Sequence, residues 1–163
     1  MFDGQMFKIF LILNLVVGQL FTPLPPPEIW AEPVPFFIEN QLGNYAVPLS
    51  ERGPGHRGID FFAGKQEIRS PVTGEVVFHN EVVNRNLLTI KSAGRLISLE
   101  PVCSDLAEGD RVARNQIIAS YCPGGDDYLE HCNGCVHLSV RTNRGYLNPL
   151  LFFGKLLPSV IVD

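Results

Sequence analysis

The 163-residue chain is 45% apolar, with 15 glycines and 13 prolines, which suits one domain with a real core plus a leader. That apolar content excludes a largely disordered chain. A net charge of −4 without any run of Lys or Arg excludes a polyphosphate-binding surface, so no nucleic acid partner is expected.

Lys8 precedes an apolar stretch from Ile9 to Phe21, the charged start and apolar middle of a secretory signal. Residues 1–21 are therefore expected to be a signal peptide, cut after Val16-Val17-Gly18 or near Ala31, or an uncleaved membrane anchor. Membrane contact is expected only through that segment, and the protein is expected outside the cell or in the cell wall. Residues 22–48 carry seven prolines, a density that blocks helices and central strands. They read as a linker followed by a lead-in that docks on a domain spanning 49–163.

Beyond Gly53 short apolar runs alternate with Gly, Asn and Asp: Ile59 to Phe62, Glu75 to Phe78, Leu87 to Ile90, Arg95 to Leu99, Gln116 to Tyr121 and Val136 to Arg141. Runs of this length, rich in Val and Ile and spaced by turn residues, predict an all-β antiparallel fold. One short helix is expected within Leu147 to Leu157, limited by Pro149 and Pro158. Ser70 to Val77 and Leu106 to Ile118 each pair a turn with a strand, like the duplicated hybrid motif of lipoyl and biotinyl carriers and of LytM-type peptidases. Fold alone does not choose among their functions.

His56 and Asp60 are four residues apart, which in extended chain points both to one face. In Cys135-Val136-His137-Leu138-Ser139-Val140-Arg141 the alternation puts Cys135, His137 and Ser139 on one face. Two imidazoles and one carboxylate are the donor set of a catalytic zinc that keeps a fourth position for water. The spacing by itself is weak evidence.

The succession Gly55-His56-Arg57-Gly58-Ile59-Asp60-Phe61, Ser70-Pro71-Val72-Thr73-Gly74-Glu75-Val76, Glu108-Gly109-Asp110-Arg111-Val112, Val136-His137 and Tyr146-Leu147-Asn148-Pro149-Leu150 resembles the lysostaphin-type, LytM-like zinc metallopeptidases from about Gly53 to Leu151. It looks closest to a compact, exported, actinobacterial-type branch, with Glu100-Pro101-Val102 and Cys135-Val136-His137 as the resembling pieces. The resemblance implies zinc held by His56, Asp60 and His137, and peptidoglycan peptides as what is cut or bound. Two histidine positions that active members use are replaced here by Pro101 and Cys135, so weak or lost hydrolysis is expected. Glu100 and His131 are the candidate substitutes.

The alternatives are a non-catalytic module that binds wall peptides or regulates another cell-wall hydrolase, a lipoyl/biotinyl-like carrier or adaptor, a zinc-ribbon-like site built from Cys122, Cys132, Cys135 and His137, and an exported β domain with no metal. Lys91 before Ser92-Ala93-Gly94 does not fit the modified lysine of a carrier. Cys135 has two competing fates, thiolate as a fourth zinc ligand or half of a disulfide with Cys122 or Cys132, and oxidation is favoured for an exported chain.

Overall fold

The computed structural model describes residues 29–50, 53–124 and 133–154. The expected leader over 1–21, the start of the linker, His131 and Cys132 lie outside the described residues. Eleven strands and one short 3₁₀ turn follow in chain order: β1 Gln41–Gly43, β2 Gly58–Phe62, β3 Glu67–Arg69, β4 Gly74–Val82, β5 Arg85–Ser92, β6 Arg95–Glu100, β7 Val102–Cys103, β8 Arg111–Val112, β9 Ile117–Tyr121, β10 Cys135–Thr142, β11 Gly145–Leu147 and the turn Pro149–Phe152. The larger sheet runs β1-β2-β10-β6-β5-β4-β8, with β11 added on β10, and the smaller runs β3-β9-β7. Every pairing is antiparallel, giving the all-β fold that the short apolar runs predict.

Period 2 sorts the central strands cleanly. Ile59 and Phe61 of β2, Val136, Leu138 and Val140 of β10, Ile97 and Leu99 of β6, and Leu88 and Ile90 of β5 are fully buried in one core. Their alternate neighbours face the other side of the sheet, where the candidate site lies. Two hairpins hold this register with two-residue turns, Val83-Asn84 and Ala93-Gly94, in which all four residues have positive φ. That conformation matches the twist of the flanking strands.

The two turn-and-strand segments noted in the sequence lie side by side. Ser70 and Val76 of the first segment exchange backbone hydrogen bonds with Gln116, Asn115, Asp110 and Gly109 of the second, at 2.8 Å in each case. The Cys103–Cys122 disulfide ties β7 to the end of β9.

The lead-in is part of the core. Trp30, Val34 and Phe37 are buried, and Trp30 stacks on Phe152 with ring centroids 4.3 Å apart. The helix expected over Leu147 to Leu157 is instead the single 3₁₀ turn Pro149–Phe152, because Leu147 is the last residue of β11 and Pro149 cannot donate to a preceding turn. Asn148 caps that turn by accepting from the Leu150 N–H at 3.0 Å. Residues 155–157 lie outside the described residues.

Candidate metal centre

Register brings the chemistry together. Gly43 of β1 opposes Asp60 of β2, Asp60 opposes His137 of β10, and His137 opposes Glu100 of β6. His56 enters from just before β2, held by a backbone bridge in which Ala46 and His56 exchange two hydrogen bonds of 2.9 Å. Its Nε2 then lies 3.2 Å from Asp60 Oδ1 and 3.1 Å from His137 Nδ1, while His137 Nδ1 is 2.8 Å from the same Asp60 oxygen. The three groups are half-buried rather than sealed from solvent.

The proton inventory of this triangle is informative. His56 Nδ1 donates to the Asn44 carbonyl at 2.7 Å, and a carbonyl can only accept, so in the neutral ring Nε2 carries a lone pair. That lone pair faces a carboxylate oxygen and a second imidazole nitrogen. With both rings neutral, either His137 Nδ1 carries the one proton, shared between two acceptors, or no proton lies among three acceptors. A cation resolves this arrangement, and the donors suit one: in a tetrahedral site with metal–ligand bonds of 2.0–2.1 Å, ligand atoms stand about 3.3 Å apart. The observed edges of 2.8 to 3.2 Å approach that size. The Asn44 carbonyl fixes the His56 ring as the outer partners of metal-bound histidines commonly do.

Cys135 is not available as a fourth ligand. It is disulfide-bonded, and the Cys103–Cys122 pairing removes Cys122 both as its partner and from a zinc-ribbon set. The remaining cysteine, Cys132, lies outside the described residues. Oxidation of Cys135 leaves the His, Asp, His group without a thiolate, so a closed four-ligand site with Cys135 does not form.

Of the two positions where the resemblance implies a missing histidine, Cys135 is oxidised and Pro101 can be placed as well. Pro101 is buried, joined to Glu100 by a cis peptide bond as the chain passes from β6 to β7. Glu100 stands on the same row as Asp60 and His137, but its carboxylate is engaged by Arg85, with Nε donating at 2.9 Å and an Nη2 donor at 3.4 Å. His79 makes a 2.6 Å hydrogen bond through Nδ1 with the Leu106 carbonyl, a structural tie away from the triangle. Among the described residues no imidazole beyond His56 and His137 reaches the site.

Beside this row runs a groove of about 420 Å³. The next register row, Gly58, Ser139, Ser98 and Thr89, puts small side chains along its length, with Thr89 and Ser98 hydroxyls 2.9 Å apart. Leu96, Arg141 and Tyr146 line its far side. Sequence reasoning did not identify this floor, because serines and threonines in strands carry no signal until the register aligns them.

No family model matches the sequence, and no curated protein sequence matches it. Solved structures do. A chain of the SpoIIQ–SpoIIIAH pore-forming complex aligns with TM-score 0.64 at 21% identity, over 79% of this chain and 93% of that one. A putative M23 peptidase from Pseudomonas aeruginosa aligns with TM-score 0.60 at 19% identity, over 95% of this chain and 63% of that one. LytU aligns with TM-score 0.57 at 21% identity, over 69% of this chain and 83% of that one. These likenesses, on an all-β antiparallel architecture, give the chain the LytM-type fold seen in M23 peptidases.

Proposed function

We propose that the protein is an exported, cell-wall-directed LytM-type module that holds one zinc ion through His56, Asp60 and His137 and engages peptidoglycan peptides in the adjoining groove, with weak or absent hydrolysis. The observation that carries this reading is the convergence of His56 Nε2, Asp60 Oδ1 and His137 Nδ1 in the register row that ends at Glu100, a residue lining that groove. Export is supported by the apolar segment Ile9 to Phe21 and by oxidised cysteines, which persist in oxidising compartments.

When bound, zinc polarises a carbonyl and lowers the pKa of a bound water. This chain's own groups contribute little beyond holding the ion. Ser98, Ser139 and Thr89 offer hydroxyls to a peptide backbone, and Asn44 orients His56. General acid–base help is worth roughly 10²–10⁴-fold in rate, and the only carboxylate of the row left for it, Glu100, is committed to Arg85.

Purified protein loaded with zinc is expected to bind wall peptides while releasing them uncut, or to cut them at least about 100-fold more slowly than an intact M23 enzyme under the same conditions. Turnover within about tenfold of such an enzyme would refute the reading of weak hydrolysis. Loss of that turnover in Glu100→Gln would then name Glu100 as the base.

A second reading has its own support. The SpoIIQ neighbour is seen in a complex with a protein partner, so a LytM-type module whose groove or flank docks another protein is the alternative. Binding to a partner domain without affinity for wall peptides would favour it.

A further inference from the structure

The groove continues past Ser139. Arg141 follows on the same face of β10, Tyr146 is its register partner on β11, and both side chains line the groove and also a second depression of about 550 Å³. Tyr45, Val47, Arg57 and Arg144 line that second depression. Three guanidinium groups thus surround one space, and no acidic side chain lines it among the described residues. This is a local concentration of positive charge in a chain whose net charge is −4.

The walls are fixed while two of the arginines are not spoken for. The Tyr45 hydroxyl donates to the Tyr146 carbonyl at 3.0 Å, the Arg57 guanidinium lies 5.9 Å from the Tyr146 ring centroid, and its Nη2 group donates to the Gly53 carbonyl at 3.3 Å. Arg141 and Arg144 make no ion pair among the described residues. Arg141 and Arg144 place like charges at one depression, and an anion seated between them removes that repulsion, while Arg57, which has a further partner, lines the wall beside them.

We propose that this depression is an anion subsite that captures a carboxylate of the peptide lying in the groove, Arg141 and Arg144 supplying paired N–H donors and Tyr45 and Tyr146 the walls. The proposal rests on the groove being a peptide site. A planar guanidinium matches a carboxylate with two parallel hydrogen bonds. A carboxylate is chosen over a phosphate polymer because the depression opens into a groove floored by small hydroxyl side chains and is walled by tyrosine rings and the exposed Val47, surfaces that suit a peptide.

The test uses the full, zinc-supplemented chain and two extended Ala/Gly tetrapeptides that differ only in ending as a free carboxylate or as an amide, with affinity read by calorimetry. The acid is expected to bind about tenfold more tightly than the amide at low salt, with the preference falling as salt rises and absent in Arg141→Gln/Arg144→Gln. Equal affinities, an unchanged preference in that double variant, or no binding of either peptide overturns the proposal. Displacement of the acid by inorganic phosphate at far lower concentration than by acetate also overturns it, in favour of a phosphate ligand. Failure of the metal reading is separate: acid preference retained in a chain with no stoichiometric zinc leaves the subsite standing and removes the zinc.

Discussion

Replacing His56 with alanine is expected to strip the metal without unfolding the protein. His56 is held by its backbone as well as by its side chain: the Ala46 and His56 main-chain pair is untouched by the substitution, so the loop keeps its course. What disappears is one of the three proposed ligand atoms. Loss of an outer partner alone costs such sites 10–100-fold in affinity, so loss of a direct ligand should exceed about 100-fold. Stability separates this from simple damage. With both rings neutral, removing the His56 Nε2 acceptor relieves its repulsion with the Asp60 oxygen, which offsets the lost bond to the Asn44 carbonyl, so metal-free wild type and variant should agree within about 1 kcal/mol. Zinc at about 100 times its Kd should then stabilise the wild type by about 2.7 kcal/mol and the variant hardly at all. Denaturant melts with and without zinc, alongside metal analysis after dialysis, measure both. A variant that keeps stoichiometric zinc places the metal elsewhere.

That expectation shows which part of the site was legible in the chain. The spacing of His56 and Asp60 and the alternation around His137 gave only which way these side chains face, since period 2 fixes facing once the strands are known, and it was the resemblance to the LytM-like peptidases that implied the three as one ligand set. What spacing could not supply was the register that lays Gly43, Asp60, His137 and Glu100 in one row, because register is set between strands far apart in sequence. The same limit hid the floor of Ser139, Ser98 and Thr89, and the pairing of Arg85 with Glu100. The six strands with sustained apolar runs were foreseeable. Those of two or three residues, such as β7, β8 and β11, were not, since pairing with a neighbour rather than intrinsic preference makes them strands. Proline density read the stretch before Pro48 as linker and lead-in. Trp30, Val34 and Phe37 nonetheless fill the core, because apolar side chains between prolines can be buried without regular structure.

Gly58 is where fold and site make the same demand, and Gly58→Ala is expected to damage both. Propensity alone argues the other way. Glycine weakens a strand interior through the entropy it loses on folding, so alanine there should be neutral or stabilising by up to about 1 kcal/mol. Space decides against it. A Cβ at position 58 would run into the Leu138 carbonyl oxygen and would stand 2.6 Å from His137 Nε2 and 2.7 Å from Cε1. The carbonyl belongs to β10 between β2 and β6 and cannot withdraw without loosening both ladders. The ring cannot turn away without taking Nδ1 out of the triangle with His56 and Asp60. Overpacking of this kind costs about 3 kcal/mol, and zinc affinity should fall with it. Gly43→Ala provides the contrast: its Cβ would meet the Asp60 carboxylate at 2.5 Å, a side chain at the edge strand's border, so zinc affinity should drop with a smaller loss of stability. Urea melts of the metal-free proteins and zinc titrations of each variant read the two effects apart. A Gly58→Ala protein as stable as the wild type, with unchanged zinc affinity, would mean that His137 does not lie over Gly58 and that the site is built differently.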